Sequence, residues 1–114
     1  MANRYAAFVV LALPVLLVAC SGSSPSAGPP DGAALFKKHC ASCHGLDGKG
    51  LVAKIDMTSP QWQSAHTDEQ IACTVKQGIQ AKDKSMPPFK TVLKDDEIQA
   101  IIKDMIRKFG KEGK

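Results

Sequence analysis

The chain has 114 residues, with hydrophobic residues at 44%, charged residues at 23% and a formal net charge of +4. This mixture and length fit one small globular domain and exclude a collagen-like, coiled-coil or disordered chain as a whole. Basic residues form no Arg-rich run and do not alternate with aromatic ones, so a nucleic-acid partner is not expected. Only six residues are aromatic, and two of them, Tyr5 and Phe8, lie in a segment expected to be removed. The remaining core is thin, and a thin core calls for a staple or a bound group. Four cysteines mark where to look.

Residues 1–19 read as an export signal. Arg4 provides a positive start, and Ala6–Ala19 is an apolar run broken only by Pro14. A membrane span needs about 20 apolar residues, so the run is short for a span and suits a cleaved signal. It ends Leu17-Val18-Ala19-Cys20, which resembles the lipobox of bacterial lipoproteins. The resemblance implies that Cys20 is lipidated and becomes the first mature residue. Each buried methylene of an acyl chain contributes about 0.8 kcal/mol to membrane anchoring. Together these features predict a lipoprotein on the periplasmic side of a bacterial membrane. Residues 20–30 then form a linker: Ser21–Pro30 has no charge and no large apolar side chain to offset the entropy of ordering.

Residues 31–114 are the expected folded domain, all-α with three to four helices and long loops. Asp31 can cap a helix from Gly32 to about Cys43. The stretch from Gly45 to about His66 is rich in Gly, Asp, Ser and Pro and shows no sustained period. Thr67-Asp68-Glu69-Gln70 is a capping-box sequence, Ile71 and Val75 continue an apolar stripe, and Gly78 is a stop. Met86-Pro87-Pro88 forbids helix and favours extended chain. Asp95, Asp96 and Glu97 open a last helix, and Arg107, Lys108 and Lys111 complement its other end. Its expected buried face is Ile98, Ile101, Ile102, Met105 and Phe109. Leu93 and Ile98 would form a hydrophobic staple if Lys94, a poor capping residue, is the N-cap.

Cys40-Ala41-Ser42-Cys43-His44 carries the chemistry. Two thiols three residues apart and an adjacent imidazole form the c-type haem attachment pattern. The cysteines can reach two vinyl groups of one porphyrin as thioethers, and the next residue offers its imidazole to the iron. Three other readings stand beside it. A thioredoxin-like pair wants a preceding strand, which is missing here. Structural zinc wants four ligands, drawn from Cys40, Cys43, His44 and either Cys73 or His66. A disulfide between Cys40 and Cys43 is open to an exported chain. For a sixth iron ligand the candidates are His39, His66, Met57 and Met86. His39 lies next to Cys40 and on the wrong side. Met57 reads as core packing. Met86 stands in Lys84-Ser85-Met86-Pro87-Pro88-Phe89, where the prolines stiffen an extended backbone able to present a thioether.

Taken together, residues 31–110 resemble the monohaem class I c-type cytochromes, the small bacterial kind with histidine and methionine ligands. Gly32 and Phe36 match the family's first helix, and Gly45, Gly48 and Gly50 match the turn after the histidine. Thr58–Gln63 with Thr67–Ile71 and Gly78 is similar to its middle segment. Met86-Pro87-Pro88-Phe89 is similar to its distal-ligand loop, and Asp95–Ile98 with Ile106-Arg107 to its closing helix. The resemblance implies one covalent haem c with its iron, Cys40 and Cys43 as anchors, His44 and Met86 as axial ligands, and crossed terminal helices that meet at Phe36. It departs at Met105, where an aromatic is common, and at Leu51–Ile55, where the proline often found under the histidine is not evident.

The implied function is one-electron transfer between redox proteins, without a small-molecule substrate and without enzymatic activity of its own. Lys37, Lys38, Lys49, Lys82, Lys84 and Lys90 lie near the two haem-binding segments and would steer acidic partners. Two alternatives are a haem-bearing subunit of a larger membrane-associated dehydrogenase or oxidase, and a haem ligand sensor with a labile Met86. Trp62 reads equally as plain packing and as a donor to a haem propionate. Cys73, opposite Ile71 and Val75 on the helical wheel, is either small filler, the favoured reading, or an exposed thiol.

Overall fold

The structure is a computed structural model and describes residues 28–112. The expected signal over residues 1–19, Cys20 and most of the 20–30 linker lie outside the described residues. Helix α1 spans Gly32–His39. Asp31 caps it, its carboxylate accepting from the Ala33 and Ala34 amides at 3.0 and 3.1 Å. Lys37, Lys38 and His39 occupy the last turn, where positive charge complements the helix dipole.

The sequence predicts one helix through Cys43; the chain instead breaks at Cys40. There φ is −117°, and a second short helix, α2, runs Ala41–His44 and ends at Gly45. The break turns Cys40 into the core and leaves Cys43 at the surface.

The following loop is not irregular throughout, as its composition suggests. Helix α3 spans Pro60–Ala65. Ser59 accepts from the Trp62 amide at 3.1 Å, and Pro60 stands in the first turn, where its missing N–H costs nothing. Helix α4 spans Asp68–Gln77 with the expected capping box. The Gln70 amide donates to Thr67 Oγ1 at 3.2 Å, and the Thr67 amide donates to Gln70 Oε1 at 2.9 Å. Gly78 ends α4 at φ +70°, and a Cβ there would lie 2.4 Å from the Met86 carbonyl oxygen. Glycine is therefore required both by the turn and by the returning chain.

That returning chain makes a two-residue antiparallel pair. Strand β1 (Ile79–Gln80) faces β2 (Ser85–Met86), with Ile79 opposite Met86. Pro87 and Pro88 cannot donate and so end the ladder. The Phe89 and Lys90 amides then bond to the Val75 and Lys76 carbonyls at 3.0 and 3.2 Å, satisfying acceptors at the end of α4.

The closing helix begins as α5, Asp95–Ile101. Lys94 is its N-cap but contributes no side-chain cap bond; Glu97 reaches back to the Lys94 amide at 2.7 Å instead. Ile102–Ile106 forms a π turn, and α6 continues over Arg107–Glu112. The extra residue of a π turn shifts the helix face. Ile106, 4% exposed, takes the core position that α-helical spacing assigns to Met105, which is only half-buried.

The core sits where α1 crosses this helix. Phe36, Ile98, Ile101 and Ile102 are each 1% exposed. Such side chains contribute about 1.5–3 kcal/mol apiece. Phe36 meets Phe109 edge-on at 5.4 Å. The backbones touch at Gly32, where a Cβ would lie 2.0 Å from the Ala100 carbonyl oxygen. The Gly32 amide donates to Asp104 Oδ2 at 3.0 Å across the same contact. Ile71, Val75 and Leu93 extend the core under α4. The result is the all-α architecture expected from the sequence, with three main helices and short connecting ones.

Candidate haem site

Cys40, His44, Met57, Trp62, His66 and Met86 all line one apolar cavity of about 150 Å³, closed by core residues including Phe36, Ile101 and Ile106. The break at Cys40 brings its thiol to this cavity. Burial, and the neighbouring Cys43 thiol, push the Cys40 pKa up to about 11. Cys43 is exposed, but its backbone is not free to move. The Leu51, Val52 and Ala53 amides all donate to its carbonyl at 3.0 Å, and the Gly50 amide donates to the His44 carbonyl at 2.8 Å. The turn at 50–53 thus clasps the end of the attachment segment.

His44 is partly buried, and burial lowers its pKa. The neutral imidazole, the form that binds metals, is favoured. Its Nδ1 is buried and finds no hydrogen-bond partner among the described residues. No proline carbonyl serves it, in keeping with the departure noted at Leu51–Ile55. Met86 is held from three sides: by pairing with Ile79, by Pro87 after it, and by Gly78 against its carbonyl.

The other candidates separate clearly. His39 stands edge-on to Phe89 at 6.0 Å and is absent from the cavity wall. Met57 is 4% exposed and belongs to the core as well as to the wall. His66 stacks on Trp62 with ring centres 4.7 Å apart. Its Nδ1 lies 2.8 Å from the Trp62 carbonyl oxygen. A carbonyl can only accept, so Nδ1 is the donor in this bond, which holds the His66 ring at the wall. Cys73 is exposed, which is the second of its two readings and not the favoured one, a filler against another surface. Ile71 and Val75 take the buried stripe of α4, and Cys73 is turned away from it.

The zinc reading finds no donor set. Among the described residues no three His, Cys, Asp or Glu side chains converge on a metal position. What the chain does bring together on one apolar cavity is a buried thiol, an unpaired imidazole and a thioether, with a second, exposed thiol three residues on from the first and outside the cavity wall. That set fits a covalently anchored porphyrin. Sequence reasoning missed how Gln63 and Arg107 attach this wall to the rest of the fold. Both are polar side chains bonded to residues far away in sequence, so no local pattern signals them.

The geometry defines a c-type cytochrome, and comparisons with known proteins agree. A solved structure described as the KustC0563 c-type cytochrome is similar to this chain, with 28% identity and a TM-score of 0.61 over 69% of this chain and 96% of that one. A tyrosine-to-phenylalanine mutant of the same cytochrome is 31% identical, with a TM-score of 0.60 over 69% of this chain and 98% of that one. The family described as cytochrome c oxidase, cbb3-type, subunit III matches residues 27–103, and the chain belongs to that family. It is a monohaem c-type cytochrome, an electron-transfer haem protein whose cofactor is a covalently bound haem c with its iron.

Proposed function

We propose that the protein is a membrane-tethered one-electron carrier, with Cys40 and Cys43 as haem anchors and His44 and Met86 as axial ligands. The observation that supports this most is the shared cavity: Cys40, His44 and Met86 meet there, on a wall that is almost wholly apolar. Cys40 and Cys43 would hold the porphyrin by addition of each thiol's sulfur and hydrogen across one vinyl group, which needs no oxidant or reductant. When bound, the haem supplies the ferric–ferrous couple. The Met86 thioether and the apolar wall both favour the less charged ferrous state and raise the potential. With His44 and Met86 both holding the iron, no position on it would be left for a substrate.

Met57 and His66 share the cavity, so the ligand assignment is tested by exchange. In Met86→Ala the far-red charge-transfer band of thioether-ligated ferric haem disappears and the ferrous protein binds carbon monoxide, while His66→Ala and Met57→Leu keep the band. Retention of the band in Met86→Ala would remove Met86 from the iron.

Lys37, Lys38, Lys49, Lys82, Lys84 and Lys90 are all exposed. They suit steering toward acidic redox partners. Exposed charges are screened over about 8 Å at physiological salt, so the bimolecular electron-transfer rate with an acidic partner falls as salt rises. A salt-independent rate ends the steering proposal. Residues 1–19 act as the signal, acylated Cys20 as the anchor on the periplasmic side of a bacterial membrane, and residues 20–30 as the leash. Mass spectrometry of the mature N-terminus tests this directly: the chain begins at an acylated Cys20.

A second reading has its own support. The family is described as an oxidase subunit, and three of the exposed large hydrophobic residues, Leu46, Leu51 and Val52, lie in the one loop after His44. A lasting subunit contact would cover such side chains. Co-purification with an oxidase at fixed stoichiometry favours the subunit over the free carrier.

A further inference from the structure

Helix α3 supplies two side chains of the cavity wall, Trp62 and His66 at its end, yet it has few means of holding itself in place. It is six residues long and contains no buried residue. A helix this short is unstable alone and takes its stability from packing. What fastens it is polar. Arg107 Nη1 donates to the Gln63 carbonyl at 3.0 Å and to Gln63 Oε1 at 2.9 Å. Arg107 Nη2 donates to the His66 carbonyl at 2.8 Å and pairs with Asp68 Oδ1 at 2.6 Å, which Nε also reaches at 2.7 Å. Gln63 Nε2 in turn donates to the Met57 carbonyl at 2.6 Å and to the Ile106 carbonyl at 2.8 Å.

One guanidinium and one amide therefore tie Met57, α3, the start of α4 and the closing helix to one another. The π turn contributes to the arrangement. It ends at Ile106, whose carbonyl accepts from Gln63, and Arg107 follows directly. A π turn holds more residues than an α turn, so residues three apart diverge further around the axis. Asp104 can then reach Gly32 of α1 while Arg107 reaches α3. π turns of this kind often mark functional positions.

We infer that Arg107 and Gln63 are positioning residues that set the Trp62–His66 wall of the haem cavity, and through it the water exclusion that tunes the iron. The inference rests on this cavity being the haem site. The forked, multiply bonded geometry suits arginine and not lysine, whose ammonium is a point charge without a fork.

The test uses the holoprotein. Trp62 is the sole tryptophan of the chain, so its emission, quenched by energy transfer to a nearby haem, reports the wall directly. Arg107→Ala and Gln63→Leu are expected to raise Trp62 emission and lower the reduction potential, as the wall loosens and water reaches the haem. Arg107→Lys is expected to fall between these and the wild type, and Asp68→Asn, which leaves the carbonyl contacts of Arg107 in place, to stay close to the wild type. If Arg107→Ala yields no folded holoprotein, Arg107→Lys decides by the same two readings. Variants that melt earlier but keep wild-type emission and potential would overturn the inference, leaving Arg107 a stabilising residue only. Unquenched Trp62 in the wild type would instead overturn the cavity assignment beneath it.

Discussion

The crossing of α1 with the closing helix and the cavity wall at 45–66 lie side by side, yet they are held by different means. The crossing is a packed apolar contact, with Phe36, Ile98, Ile101 and Ile102 almost fully buried and the backbones in touch at Gly32. The wall has little core of its own. Beyond Met57 and the glycine positions, it is assembled from backbone bonds to Cys43 and His44, a short helix with no buried residue, and the Gln63–Arg107 contacts. The crossing is packed by the chain's own side chains and backbone. The wall gains a large apolar surface to pack against only when the haem is present. A haem bound in this cavity would complete the core on the side of the wall.

The sharpest way to break this contrast is Phe36→Ala. It empties the crossing and the cavity edge together and should cost about 3–5 kcal/mol, read from denaturant unfolding of the holoprotein. A loss below about 1 kcal/mol would mean that the crossing is not the main source of stability. Met86→Ala acts on the other region. The crossing should survive it, but the potential should fall by on the order of 0.1 V, within the roughly 0.8 V that axial ligands control. Protein-film voltammetry checks this.

A smaller effect falls between the two regions. Thr67→Ala removes the α4 cap and should cost about 1 kcal/mol while the haem spectrum stays unchanged. A changed spectrum would show that α4's start is coupled to the iron. The smallest effect concerns Asp56, whose carboxylate accepts from the Thr58 amide and hydroxyl, and these bonds hold its pKa below the ordinary carboxylate value. A lowered folded-state pKa means that this contact supports the fold above the ordinary value and is lost as pH falls through the lowered one. Carbon-detected NMR titration should find Asp56 titrating below an unperturbed aspartate, and Thr58→Ala, which removes the hydroxyl but keeps the amide, should bring it part of the way back.

Local signals were read correctly where the chemistry spans a few residues. The Asp31 cap, the Thr67–Gln70 box and the Gly78 stop each join groups within about one turn, so sequence order sets their geometry. Met86 likewise lies in a strand directly before Pro87 and Pro88, the extended backbone that the prolines favour. Helix α3 was legible in principle, since Ser59-Pro60 is an N-terminal signal, but the polar composition around it hid the helix. The break at Cys40 and the π turn carry no composition of their own. Neither contains glycine or proline, and α-helical spacing accordingly assigned Met105 to the core in place of Ile106.

The sequence by itself determined the class of fold, the attachment motif and the set of candidate ligands, because covalent spacing and helix periodicity are properties of neighbours along the chain. Tertiary structure decided which of those residues share a cavity, which way Cys73 faces, and how α3 is fastened. These depend on contacts such as Gln63 with Ile106 or Gly32 with Ala100, between segments far apart in sequence. Their energy exists only after the chain has folded, so no local pattern encodes them.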